Sequence, residues 1–402
     1  MFDYTISHHA NPAADRRRPY PDALLQTLSQ EASDRAYSEI SSWPGYARTR
    51  LHDLRGIARE AGVERIWYKD EGSRFGLGSF KSLGGAYAVF AQIRSHVEER
   101  TGQEVAIGDL LARRYPDLLD QVVVTCATAG NHGRSVAWGA QLFGCRCVIY
   151  LHRAVSAGRE AAIASYGADI VRVDGTYDDS ARQAAADASE HGRTLVTDTG
   201  HGGYFEIPRT VAHGYTVLMR EILSQLGGEH PTHLFVQAGV GGLVGAACGY
   251  SWLAWGRQRP RAIAVEPEKA NCLQASARQG SPVVVPGELD TVMACLACGE
   301  VSEATWDLVY AACDDFITIE EAAIPPTMRL LADGDFGDPA IVAGESGAAG
   351  LAAALAACSS PGYRKLIGLD DSSKILAIGT EGATDPELYQ RLLDRARRSD
   401  SP

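Results

Sequence analysis

The chain has 402 residues, 45% hydrophobic and 22% charged, the composition of a folded globular protein with a sizeable core. A net charge of −12 argues against nucleic-acid or membrane-surface partners, which need a positive face. Nine cysteines without framework spacing, an N-terminus lacking an apolar leader core and no apolar run of about eighteen residues predict a reducing, cytoplasmic setting with no membrane contact.

In chain order, the first segment with unusual chemistry is KDEGSRFGLGSFKSLGGAYA, from Lys69 to Ala88. Lys81 follows Gly76, Gly78 and Ser79 and precedes Gly84 and Gly85. Glycines let a flat ring approach the backbone. Phe80 and Leu83 would keep the amine dry, lowering its pKa toward the neutral nucleophile. A helix is expected to begin near Lys81; the plainer alternative is a surface lysine in a flexible loop. Residues 95–118 are charged and helix-like, and are read as a surface excursion.

Gln121–Thr125 is a short β-rich run, and CATAGNHGRSVAW follows it as strand end, small-residue turn and helix start. The backbone amides from Thr128 through Ala129 and Gly130 to His132 form a nest suited to a carboxylate. Asn131 brings an amide that can donate to a phenolate. His132 is a possible base, although a histidine at a helix start is more often structural.

Arg146–Leu151, Asp169–Val173 and a run from Thr194 alternate with helical stretches stopped at Gly144, Gly167 and Gly192. That cadence predicts a parallel sheet covered by helices. A second set follows: His233–Gln237, the loop GVGGLVG, a helix through Trp252, Arg261–Val265 ending at Glu266, and Lys374–Ile378 ending in GTEG. RRSDSP reads as a polar tail. The glycine loop has the form of a phosphate site at a helix N-terminus. A dinucleotide would find Glu266 where a ribose-binding acid stands, but its fingerprint needs glycine where Val244 stands. A phosphate monoester is the better reading. Cys295 and Cys298 form a CxxC with no second motif or neighbouring histidine, so they are read as buried free thiols and no metal is expected.

These three elements, in this order, resemble the fold-type II pyridoxal-phosphate (PLP) enzymes, the group of threonine dehydratase and the tryptophan synthase β-subunit. The resemblance is closer to diaminopropionate ammonia-lyase. It extends from the lysine segment through GNHGRSVAWGAQ, DTGHGGYFEIP, QAGVGGLVGA, VEPEKANC, LACGE and GESGAAG to GTEGATD. It implies an α/β fold of two interleaved domains, each with a mostly parallel sheet covered by helices. Residues 1–90 and 206–402 would form the large PLP-binding domain, and 91–205 the small one.

Residue by residue, the resemblance makes Lys81 the Schiff-base lysine and Asn131 the amide facing the cofactor's 3′-oxygen. Gly239, Val240, Gly241, Gly242 and Leu243 match the phosphate loop. Thr380 falls where a hydroxyl meets the pyridine nitrogen, and Asp198 matches the base toward the L-isomer, with freed Lys81 as its competitor. The substrate carboxylate would dock on the turn of Thr128, Ala129, Gly130 and His132. One departure stands out: the family carries an aspartate, the base toward the D-isomer, where this chain has Ala129. The implied activity is elimination of ammonia from 2,3-diaminopropionate, L-isomer preferred, giving pyruvate and ammonia. The alternative is β-elimination or β-replacement on another β-substituted amino acid. A homodimer is implied by the resemblance. A PLP-carrying sensor without turnover is disfavoured by the joint presence of Lys81, Asp198 and Thr380.

Overall fold

Two sheets organise the chain in the computed structural model, which describes residue 2 and residues 4–399. The last part of the expected polar tail, 400–402, lies outside the described residues; Arg397–Ser399 end the helix Pro386–Ser399. The larger sheet has seven strands in the order β1-β10-β9-β8-β11-β3-β2. They are β1 (Ile6–Ala10), β2 (Arg50–Asp53), β3 (Arg65–Asp70), β8 (His233–Gln237), β9 (Arg261–Pro267), β10 (Asp315–Ile319) and β11 (Lys374–Gly379). Its five central strands are parallel, and β1 and β2 close the edges antiparallel. The smaller sheet is wholly parallel, in the order β6-β5-β4-β7, from β4 (Val123–Cys126), β5 (Arg146–His152), β6 (Asp169–Val173) and β7 (Thr194–Leu195).

Strands β8 and β10 are buried along their whole length, as in a sheet covered on both faces. One apolar core joins the two sheets, bringing Val124 and Ile149 of the small sheet together with Leu234 and Leu376 of the large. A second core lies under the other face of the large sheet, around Phe235, Ile317, Leu351 and Ile375. The glycine stops act as expected at Gly144 and Gly192, left-handed helix caps at φ +83 and +63, while Gly167 lies just beyond the cap Ser165. The expected surface excursion is a different object. The helix that starts at Lys81 continues to Thr101 and buries Val97, and Leu110 and Leu119 anchor the short helices beyond it.

The helix Lys81–Thr101 lies between two others, Asn131–Phe143 and Glu206–Leu226, and the approach is close because glycines line it. A Cβ on Gly139 would meet Ala86, one on Gly85 would meet Ser135, and ones on Gly84 and Gly214 would collide with Tyr215 and with the Leu83 carbonyl. Gly84 and Gly85 therefore serve helix packing, not the approach of a ligand ring. The turn ahead of the lysine is held by a buried ionic cluster. Lys69 Nζ donates to Glu221 Oε2 at 2.6 Å, and Arg74 donates to both Glu221 (2.7 and 2.8 Å) and Glu71 (2.8 Å). All four side chains are fully inaccessible to solvent. Losing one partner from such a cluster costs about 3–5 kcal/mol, because a buried charge is left uncompensated. The turn itself is tight: Phe75, Gly76 and Gly78 take positive φ values of 50, 71 and 81.

Candidate cofactor and substrate site

Lys81 is the first residue of its helix, and its Nζ donates to the carboxylate of Asp198, just past β7. Both side chains are about one-fifth exposed, at 19% and 20%. Burial works against the ammonium, but the charge of Asp198 outweighs it and holds the Lys81 pKa above its ordinary value. The dry, neutral lysine expected from Phe80 and Leu83 is thus corrected: a carboxylate from the small sheet keeps the amine charged. Burial likewise would raise Asp198, yet the Lys81 ammonium holds it below the usual carboxylate range. His132 lies beside the pair with Nε2 3.0 Å from the Val196 carbonyl; as that nitrogen must donate, Nδ1 is the acceptor, and it is buried without a partner. Burial lowers the His132 pKa, so the ring is neutral near pH 7.

Two helix starts face this pair. Gly130 caps the helix Asn131–Phe143, and its amide donates to Thr128 Oγ1 at 3.2 Å, folding the 128–132 turn onto itself. The first-turn amides of the helix have no intrahelical acceptor, which leaves them for an anion. Gly241, at φ +104, opens the helix Gly242–Trp255 after β8. That backbone conformation is the reason a glycine stands there. Glu266 does not lie open to a ribose: it is buried, and its carboxylate accepts from the Leu273 and Gln274 amides at 2.7 and 2.8 Å. Burial nevertheless pushes it up to about 8.

Thr380 follows β11, and its Oγ1 accepts from Gln237 Nε2 at 3.0 Å, so its own proton remains to be donated elsewhere. Its carbonyl accepts from the Phe80 amide at 3.0 Å, which ties the end of β11 to the lysine turn. Asn131 donates to Glu381 Oε2 at 2.5 Å and lies 3.5 Å from Cys295 Sγ. The CxxC is not in the core: Cys295 is exposed and Cys298 is half-buried. It lines the site, since a Cβ on Gly239 would lie 3.2 Å from Cys298 Sγ.

Three site residues escaped sequence reasoning. Tyr215 places its ring 5.7 Å from Lys81 Nζ and 4.6 Å from Phe80, with its hydroxyl buried and unpartnered. Nothing in its HGYT setting signals this. Glu381 and Gln237 were visible only as parts of GTEG and of β8.

The groups present fit a PLP molecule. An amine stands at a helix start, a second helix start is opened by glycine, and two buried atoms near the Lys81–Asp198 pair, Tyr215 Oη and His132 Nδ1, have no partner. The lysine at one helix start, the glycine-opened loop at another and the Thr380 hydroxyl fit a PLP site of the fold-type II class. The family described as pyridoxal-phosphate dependent enzyme matches residues 42–368. Diaminopropionate ammonia-lyase of Escherichia coli K12 is 36% identical over 366 residues, 89% of this chain and 90% of that one. The Salmonella typhimurium enzyme of the same name is 35% identical, covering 95% and 97%. The crystal structure of the E. coli enzyme in complex with an aminoacrylate-PLP azomethine reaction intermediate superposes with a TM-score of 0.86 at 33% identity, covering 98% of each chain. The chain belongs to the diaminopropionate ammonia-lyase family of PLP-dependent enzymes.

Proposed function

We propose that this protein is a PLP-dependent ammonia-lyase that converts 2,3-diaminopropionate, L-isomer preferred, to pyruvate and two molecules of ammonia. The observation that carries the reading is the Lys81–Asp198 pair inside a chain that matches ammonia-lyases nearly end to end. Bound through Lys81, the cofactor supplies the electron sink for loss of the Cα proton and then of the β-amino group. The chain supplies the rest. Gly239, Val240, Gly241, Gly242 and Leu243 would hold the phosphate, Thr380 would donate to the ring nitrogen, and Asn131 would donate to the phenolate. The 128–132 turn, with Thr128, Ala129, Gly130 and His132, holds the substrate carboxylate. Asp198 takes the Cα proton of the L-isomer. The Lys81 ammonium keeps Asp198 a weak base in the resting site; neutralising Lys81 removes that restraint, and burial then raises the carboxyl's basicity.

Ala129 supports a second reading, the same chemistry on another β-substituent, because an alanine cannot pair with a β-ammonium group. The two lobes are taken as 1–90 with 206–402, and 91–205. The strands of each sheet fall on those segments, with the join at 90 inside the helix Lys81–Thr101. No described helix is long and apolar enough to cross a membrane. We take the protein to be a cytoplasmic homodimer without nucleic-acid partners. Lys81→Ala should lose both the violet absorption of the bound cofactor and all turnover. A borohydride-reducible cofactor adduct on another lysine in that variant would overturn the assignment.

A further inference from the structure

We propose that Glu381 is the positioning residue for Asn131, fixing its amide so that an N–H points to the cofactor's phenolate oxygen. The proposal rests on the PLP reading of the site and deepens it.

An asparagine amide presents two similar faces, and only one offers donors. Its orientation must be set by a neighbour. Glu381 Oε2 accepts from Asn131 Nδ2 at 2.5 Å, which commits that face to nitrogen; the second N–H has only the Cys295 sulfur at 3.5 Å, a weak acceptor that a phenolate oxygen would replace. A carboxylate acceptor also strengthens the bond, charge-assisted bonds being about twice as strong as neutral ones. The same oxygen has Thr384 Oγ1 at 3.2 Å and Cys295 Sγ at 3.4 Å, so the carboxylate is held from three sides.

The backbone leaves Glu381 little freedom. It is 2% exposed and directly follows Thr380. A Cβ on Gly344 would come within 3.2 Å of Glu381 Cγ, and one on Gly347 would strike the Glu381 backbone. GESGAAG and GTEGATD thus form one interlocked unit whose glycines admit the glutamate. Glu345, between those glycines, is buried beside it; burial, then the charge of Glu381, pushes Glu345 up to about 7. Asn131 starts the helix after β4, in the small sheet, whereas Glu381 follows β11, in the large one. The bond therefore joins a residue after β4 to one after β11 and would hold Asn131 in fixed register with Thr380.

The test is a double-mutant cycle on PLP binding, read by absorbance when apoenzyme is titrated with PLP, for the natural protein, Asn131→Ala, Glu381→Gln and the double variant. Glu381→Gln should weaken PLP binding by roughly three- to tenfold, the loss of charge from one buried hydrogen bond. In the Asn131→Ala background, Glu381→Gln should change binding less than twofold, because its effect runs through Asn131. Thr384→Ala, which removes a different partner of the same carboxylate, should leave PLP binding within about twofold. Should Glu381→Gln fail to fold, judged by circular dichroism of the apoenzyme, Glu381→Asp takes its place in the cycle. Independent, multiplicative losses would overturn the coupling while leaving the cofactor site intact. An Asn131→Ala variant that binds PLP normally would overturn the role of Asn131 and this proposal with it. Failure of the natural protein to take up PLP at all would overturn the underlying site.

Discussion

Asp198→Asn is the perturbation that separates the proton-transfer role of this residue from its structural one. The substitution keeps size and removes charge. Asp198 is the counter-ion of Lys81, and both are one-fifth exposed, so the change reaches the amine directly. Without that carboxylate, the largest influence opposing burial is gone and the Lys81 pKa falls, which makes the amine more available to the cofactor. Cofactor uptake should therefore survive. Turnover should not: losing a positioned base costs about 10²–10⁴ in rate. The groups left beside residue 198 include Lys81, the neutral His132 with its free Nδ1 and Tyr215, and the first two can supply residual activity. The assay follows pyruvate release from L-2,3-diaminopropionate by coupled reduction, with cofactor occupancy checked by absorbance in the same samples. L-turnover within about tenfold of the natural protein, at full occupancy, would refute the assignment of Asp198 as the base.

Ala129→Asp should raise turnover of the D-isomer, because it returns a carboxylate to the face opposite Asp198; unchanged D-activity in both diaminopropionate and serine would favour a changed substrate instead. Gly241→Val should weaken PLP binding by about five- to 150-fold in an absorbance titration, since φ +104 costs a branched residue about 1–3 kcal/mol of strain. Space is not the issue there, as the nearest atom to an added Cβ is Val309 Cγ2 at 3.5 Å. Glu266 carries a raised folded-state pKa, about 8 against an ordinary 4.5. Its contribution to stability is complete below the ordinary value and is lost as pH rises through about 8. The thermal midpoint should fall less between pH 6 and 9 in Glu266→Gln than in the natural protein.

What could be read from the chain was what local backbone demands. Gly144 and Gly192 stop helices, Gly241 opens one, and Lys81 begins one, all because of constraints met within a turn of the residue. The misreadings share one cause, a partner distant in sequence. The Lys81 amine is charged and not neutral because Asp198 stands 117 positions away. Gly84 and Gly85 admit Tyr215 and Ser135, not a ligand. The CxxC faces the site instead of the core because the segment carrying Cys295 and Cys298 lies across the Gly239 loop. Glu381 was visible as a motif letter, yet its bond to Asn131 spans 250 positions, which no local periodicity can report.

The central claim is tested most directly by incubating the PLP-loaded protein with each enantiomer of 2,3-diaminopropionate and quantifying pyruvate and ammonia together. Two ammonia per pyruvate are expected from the L-isomer, and a D-rate lower by about 10²–10⁴, the loss expected where Ala129 leaves one face without a base. Comparable rates from the two isomers, or no pyruvate from diaminopropionate while L-serine is consumed, would contradict it.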